Sequence, residues 1–323
     1  MRGAALAAIA MLLASPALAG NLRLQSPIDC TPGIDCFIQQ YMDHDPGLEA
    51  YDHRCGTLTY NGHDGTDFAL PHFSDLGRKV LVRAAAGGRV VGARDGVPDQ
   101  VFTPDRSAEI AGRECGNGVV IQHFDGWETQ YCHLRNGSVT VQTGDEVIVG
   151  DKLGEVGLSG QTDFPHLHFS VRYGGVPINP FAPTSNNTCS ADFQERTLWI
   201  DPPAYQAGGI LSFGFSEDLP DFDRIKAGTP FAASLPTDAA AIVLHGYAFG
   251  GREGDKIHLF LSGPPGTVVD HTDTLSGDQA LFFRAAGTRL RGKTWPTGTY
   301  SARVAIERDG HLLDLRKGTL EIR

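Results

Sequence analysis

The stretch Gly118-Val119-Val120-Ile121-Gln122-His123-Phe124-Asp125-Gly126-Trp127-Glu128-Thr129-Gln130-Tyr131-Cys132-His133 reads as two short strands joined by a tight turn. β-branched and aromatic residues flank Phe124-Asp125-Gly126-Trp127, so a turn of about four residues predicts a β-hairpin. In that reading His123 lies opposite Glu128 and Cys132 opposite Val119. Strand alternation then puts Tyr131 and His133 on one face and Cys132 on the other.

The same pattern continues outward. Lys79-Val80-Leu81-Val82 and Gly88-Arg89-Val90-Val91 precede the hairpin. Ser138-Val139-Thr140-Val141, Asp145-Glu146-Val147-Ile148-Val149 and His166-Leu167-His168-Phe169-Ser170-Val171-Arg172 follow it. Short strands punctuated by 40 Gly and 19 Pro predict an all-β chain with few long helices. A length of 323 residues suggests about two domains. All six cysteines (Cys30, Cys36, Cys55, Cys115, Cys132, Cys189) fall in the first 189 residues, an asymmetry that signals two domains, and Thr184–Asn187 after Pro183 reads as the linker. The expected layout is an N-terminal extension over 20–50, a first domain over 51–187 and a second over 195–323. A chain ending near Asn187 is expected to fold alone. The strand spacing of the second domain predicts a β-sandwich, with an immunoglobulin-like arrangement as the fold-level analogy.

Residues 1–19 read as a secretory signal peptide. Arg2 is the basic start, Ala4 to Leu13 an apolar run too short to span a bilayer, and Ala17-Leu18-Ala19 a cleavage site. The expected location is therefore periplasmic or extracellular, with no membrane span in the mature chain. An even number of cysteines in an exported chain predicts disulfides. A short Cys30–Cys36 loop is one candidate, whereas the hairpin register disfavours Cys115–Cys132, since four residues of strand span about 13 Å. Without Arg2 the chain has 26 basic and 38 acidic residues. Such a surface cannot neutralise phosphates, which argues against nucleic acid as a partner.

Three places carry chemistry. Gly62-His63-Asp64-Gly65-Thr66-Asp67 combines an imidazole and a carboxylate with glycines that permit a tight turn. His166 and His168 are two apart on a strand and emerge on one face, while Leu167 and Phe169 face a core. Tyr131-Cys132-His133 brings a further histidine. Three protein ligands with an open position make a catalytic zinc site, and two further imidazoles can move protons.

His63-x-x-x-Asp67 followed by His166-x-His168 resembles the M23 metallopeptidases of the LytM and lysostaphin type. The resemblance covers roughly residues 55–183 and extends to Gly116-Asn117-Gly118, Tyr131-Cys132-His133-Leu134, Gly150-Asp151-Lys152-Leu153-Gly154 and Ile178-Asn179-Pro180. It implies a small antiparallel β-domain with a metal-bearing groove. It implies Zn2+ on His63, Asp67 and His168, with His133 and His166 as catalytic histidines. The implied activity is endopeptidase cleavage of peptide bonds in peptidoglycan. Phe164 stands before Pro165-His166-Leu167-His168, where family members often have a small residue, and this bears on groove shape.

Two other functions fit the same residues: a cell-wall-binding or regulatory module without activity, and a zinc peptidase acting on extracellular proteins. The second domain could bind the wall, bind a partner or cover the groove. His123 is read as structural or groove-lining. His44, His53, His72, His245, His258, His271 and His311 carry no expected role. Gly287-x-x-x-x-Gly292-Lys293-Thr294 spells a phosphate-binding loop, but Pro296 and Gly298 follow where such a loop needs a helix.

Overall fold

The computed structural model describes residues 22–184, 189, 197–229 and 231–323. The signal-peptide expectation for 1–19, and most of the expected linker, lie outside these residues.

The first sheet is built from β1 (Phe37–Gln40), β2 (Thr66–Ala69), β4 (Gly88–Arg94), β5 (Asn117–Gln122), β6 (Trp127–Leu134), β7 (Glu146–Val147), β9 (His166–Tyr173) and β10 (Val176–Pro177). A two-stranded ladder pairs β3 (Leu81–Arg83) with β8 (Lys152–Glu155). The spatial order β1-β2-β9-β6-β5-β4-β7 places β9 in the sheet's interior, with antiparallel partners on both sides. Leu167, Phe169 and Val171 of β9 are buried against Phe68, Ile121 and Tyr131. Each buried aliphatic or aromatic side chain of this kind contributes about 1.5–3 kcal/mol. Burial of that stripe fixes the register and sends His166 and His168 to the opposite face.

The hairpin forms, but one residue out of the expected register: Gln122 lies opposite Glu128 and Val119 opposite Tyr131. The turn holds Asp125 and Gly126 at positive φ and closes with His123 N–H donating to the Trp127 carbonyl. Two expectations fail here. Cys115 and Cys132 are bonded, with Cα atoms 4.8 Å apart. Strand β5 begins only at Asn117; Gly116, at φ +63°, turns the chain back so that Cys115 does not continue the strand. A side chain at Gly118 would collide with the Cys115 sulfur, so this glycine opens the path to Cys132. The second failure is the face of His133, taken up below. Cys30–Cys36 is bonded, as the short loop suggested, and Cys55 joins Cys189.

The N-terminal stretch is more ordered than an irregular extension. It supplies β1, and Leu22, Leu24 and Ile28 enter the first core. So do Leu198 and Trp199, with Leu24 N–H donating to the Leu198 carbonyl. Ser138–Val141 makes no ladder, although Val139 and Val141 pack on the core.

The second part is a two-sheet sandwich. One sheet has β11 (Gly209–Ser216), β13 (Ala241–Gly251) and β16 (Gln279–Arg289). The other has β12 (Ser234–Leu235), β14 (Lys256–Gly263), β15 (Gly266–Thr274), β17 (Gly298–Arg308) and β18 (His311–Ile322). Leu244, Ala248 and Phe282 of one sheet share a core with Leu259, Val304 and Leu320 of the other. Gly246 is needed at this face, because a Cβ there would stand 2.6 Å from Val304. Gly287 sits inside β16 and no helix follows Thr294, so the phosphate-loop spelling is accidental. The sandwich packs directly on the first part: Phe249 stacks near Phe37, ring centroids 4.7 Å apart, and a short helix α2 (Phe222–Ala227; α1 is Ser107–Ile110) meets the Phe73–Arg78 turn. His72 Nδ1 there faces the Ile225 carbonyl at 2.9 Å.

Candidate metal centre

Strands β2 and β9 pair Asp67 with His168 and Ala69 with His166. Cross-strand partners share a face, so Asp67 and both histidines project together. His63 reaches the same point from the loop ahead of β2. Gly62, at φ +78°, turns this loop, and Gly65 presses against His168, where any Cβ would lie 2.7 Å from the imidazole. The sequence reading of the glycines is thus given a specific cause at both positions.

His63 Nε2 lies 3.2 Å from Asp67 Oδ1 and 3.2 Å from His168 Nδ1, and the last two atoms are 2.8 Å apart. All three residues are largely enclosed. Ligand atoms bonded at about 2.0 Å to one tetrahedral ion are separated by about 3.3 Å, so the spacing and the N, N, O donor set fit zinc. The remaining ring nitrogens are also engaged. His63 Nδ1 faces the Tyr41 carbonyl at 2.7 Å, while His168 Nε2 faces Ser170 Oγ at 2.9 Å and Asp64 Oδ1 at 3.2 Å. Such partners fix the tautomer of a ligating imidazole and turn its lone pair toward the metal. Burial lowers the basicity of His168, but the bonds to Asp64 and Asp67 outweigh it and raise its pKa to about 9. The Asp67 carboxyl is buried, which raises its pKa, yet the surrounding imidazoles hold it well below the usual carboxylate range. Two anions and two imidazoles at such distances are mutually stabilised by a cation among them.

His133 and His166 stand beside this cluster, ring centroids 4.6 Å apart. His133 reaches it by an unexpected route. Tyr131 lies opposite Phe169 in the core, and Cys132 lies opposite His168 on the site face. Continued alternation would bury His133 in the core. Instead its backbone adopts φ +62°, which breaks the period of two and swings the imidazole to the site face. Nonglycine residues in this conformation cost of order 1–3 kcal/mol and concentrate at functional sites. His133 Nδ1 faces the Ser159 carbonyl at 2.8 Å, and His166 Nδ1 faces the Phe164 carbonyl at 3.0 Å. Those nitrogens therefore carry hydrogen, leaving each Nε2 with a lone pair; that of His166 is 3.5 Å from Asp67 Oδ1. Burial is the main cause lowering both pKa values, so both rings are neutral near pH 7.

His123 is structural. Its nitrogens meet the Gly87 carbonyl and Thr129 Oγ1 within a buried network that includes the Tyr131 hydroxyl. Sequence reasoning missed Tyr41, Asp64, Ser159 and Ser170. Two of these act through backbone carbonyls, which leave no trace in residue type.

Comparison with known proteins agrees with this geometry. Residues 61–180 match the sequence model of peptidase family M23. The chain is 33% identical over 124 residues to the DD-carboxypeptidase/endopeptidase Mpg of Neisseria meningitidis serogroup B, covering 38% of this chain and 23% of that protein. It is 32% identical over 110 residues to the murein hydrolase activator NlpD of Salmonella dublin, covering 33% of this chain and 26% of that protein. The chain thus spans about a quarter of the length of these curated relatives. The solved catalytic domain of the M23 protein EnpA from Enterococcus faecalis aligns at 22% identity and TM-score 0.32, over 46% of this chain and 92% of that one. The segment that carries the His63, Asp67 and His168 cluster is thus the part of the chain that is similar to peptidase family M23.

Proposed function

We propose that the protein is an exported zinc endopeptidase that hydrolyses peptide bonds of peptidoglycan. The observation that carries this reading is the convergence of three donor atoms on one point, with two neutral imidazoles beside them. His63, Asp67 and His168 would hold the zinc, which supplies Lewis acidity toward a carbonyl and makes water a better nucleophile near neutral pH. The chain's own groups do the rest. Asp64, Ser170 and Tyr41 orient the ligating rings. His133 and His166, each with a free Nε2 lone pair, are placed to take a proton from the attacking water or to deliver one to the leaving amine. Their burial excludes competing solvent.

The complete donor set favours hydrolysis over the non-enzymatic alternative, despite the similarity to an activator. Peptidoglycan is supported as substrate by 33% identity over 117 residues to the peptidoglycan DD-endopeptidase ShyA of Vibrio cholerae. Export is supported by the disulfides, which persist in oxidising compartments. The test is digestion of purified peptidoglycan by the zinc-loaded protein, with products read by mass spectrometry. New peptide termini are expected. Unchanged peptidoglycan alongside cleaved extracellular protein would move the reading to a general zinc peptidase.

A further inference from the structure

Strand β9 carries His166, His168, Ser170 and Arg172 at alternate positions, on the face that holds the candidate metal centre. Arg172 is the last of them, four residues beyond His168. Its cross-strand neighbour on β6 is Glu128, and opposite charges so placed stabilise a sheet by pairing. They do not pair here. Among the described residues the ion-pair partner of Arg172 is Asp64, from the loop ahead of β2.

The guanidinium is engaged on both sides of β9. Nη2 lies 3.5 Å from Asp64 Oδ2, while Nη1 donates to Gln130 Oε1 on β6. Gln130 is held in turn, its Nε2 donating to the Cys115 sulfur at 3.4 Å. Cys115 is bonded to Cys132, and Cys132 lies opposite His168. At the other end, Asp64 Oδ1 is 3.2 Å from His168 Nε2. A continuous path thus runs from the disulfide through Gln130, Arg172 and Asp64 to one imidazole of the His63, Asp67 and His168 cluster. The Cys115 carbonyl also accepts the backbone N–H of His133 at 2.8 Å. The same anchor therefore holds the left-handed turn that brings His133 to the site.

The Asp64 side chain is 43% exposed, so water competes for it and its loop alone does not fix where it points. A guanidinium presents its donors in a rigid plane and can hold two acceptors at a set separation; an ammonium on a flexible stem cannot. We infer that Arg172 is a positioning residue of the candidate metal centre, fixing Asp64 against His168 with Gln130 and the Cys115–Cys132 bond as its anchor. It acts through Asp64 and is not itself a ligand. This deepens the peptidase reading and rests on its assignment of zinc to His63, Asp67 and His168.

The test uses the full chain. Zinc affinity is measured by competition with a chelator of known affinity for the wild type, Arg172→Met, Arg172→Lys, Asp64→Ala and the double variant Arg172→Met/Asp64→Ala. Arg172→Met keeps the stem and removes the fork, and should weaken zinc about tenfold, the lower end of what an orienting partner is worth. In the Asp64→Ala background the same change should cost nothing further, because the path is already cut. Arg172→Lys should recover part of the loss, since an ammonium still pairs with Asp64. The visible absorption of the Co2+-loaded protein should shift in Arg172→Met and return toward wild type in Arg172→Lys, which a general loss of packing would not produce. Should Arg172→Met fail to fold, Gln130→Leu cuts the path one link earlier and should weaken zinc only while Asp64 is present. Unchanged zinc affinity, or equal losses with and without Asp64, overturns the inference even if hydrolysis falls. Zinc binding that depends on Arg172 through Asp64, without any hydrolysis of peptidoglycan, would leave the inference standing and sink the peptidase reading instead. A wild type that binds no zinc would overturn both.

Discussion

Asp64 Oδ1 lies 3.2 Å from His168 Nε2, on the side of the imidazole away from the Nδ1 that meets Asp67. The hydrogen bond from His168 holds the Asp64 carboxyl below its ordinary pKa, and Arg172 lies 3.5 Å from its other oxygen. An ionised carboxylate in this place keeps the hydrogen of His168 on Nε2. Asp64→Ala should weaken zinc binding about 10–100-fold, the usual cost of losing such a partner. Competition with a chelator of known affinity measures it. Unchanged affinity would mean that Ser170 alone orients the ring.

On the proposed mechanism, His133 and His166 should separate from His63, Asp67 and His168 in a paired measurement of metal content and turnover. His133→Ala and His166→Ala are expected to retain about one zinc per chain while hydrolysis falls about 10²–10⁴-fold. His168→Ala should lose the metal. A reversed result for His166 and His168 would show that the pair is assigned the wrong way round.

The Cys115–Cys132 bond pins the end of β6 next to His133, where the side-chain alternation breaks. Closing a loop of this size is worth about 3 kcal/mol. The double variant Cys115→Ser/Cys132→Ser should unfold at correspondingly lower denaturant concentration and lose more activity than its stability loss explains, because the left-handed turn at His133 is no longer held. A proteolytic map of the native protein that lacks this linkage would refute the register described here.

The boundary of the first folding unit is proposed to lie beyond Tyr205 instead of near Asn187. A chain ending at Asn187 lacks Cys189, bonded to Cys55, and lacks Leu198 and Trp199 from the first core. Tyr205 also donates to Asp52 at 2.8 Å. Removing a buried Trp alone costs about 3–5 kcal/mol. A chain ending after Gln206 should give a cooperative melt and bind zinc, and one ending at Asn187 should not. Equal melting of both would restore the shorter boundary.

His245 is fully buried in β13, and neither ring nitrogen has a hydrogen-bond partner among the described residues. Burial, with Arg224 and His72 nearby, pushes its pKa down from 6.5 to about 4. The folded state therefore keeps it neutral, while the unfolded chain takes up a proton near pH 6.5. Its contribution is intact above that pH and is lost as the pH falls toward about 4, by about 3 kcal/mol in all. His245→Phe should flatten this part of the stability profile, measured by denaturant unfolding at a series of pH values. An unchanged slope between pH 6.5 and 4 would point to His53, whose pKa burial also lowers to about 4.

Much of the site could be read from residue order because its parts are local. His166 and His168 share a face for the reason any i, i+2 pair does, and Leu167 and Phe169 supply the burial that fixes which face. The glycines around His63 and Asp67 announce a turn without needing the rest of the chain. The all-β class follows likewise from strand-length runs between turn residues.

What the residue order by itself determined was therefore the class of the fold and the histidines and aspartate that meet at the candidate site. The tertiary structure decided everything that depends on departures from regular backbone or on distant partners. The left-handed turn at His133 breaks the alternation that sequence reading assumes, and Gly116 bends the chain so that Cys115 can reach Cys132. The carbonyls of Tyr41 and Ser159 that fix two ring orientations are invisible in residue type, because every residue has one. The placement of the sandwich against Phe164 was equally hidden, since it depends on packing between Phe37 and Phe249, residues more than two hundred positions apart. Local pattern encodes periodicity and chemistry; long-range burial decides where they meet.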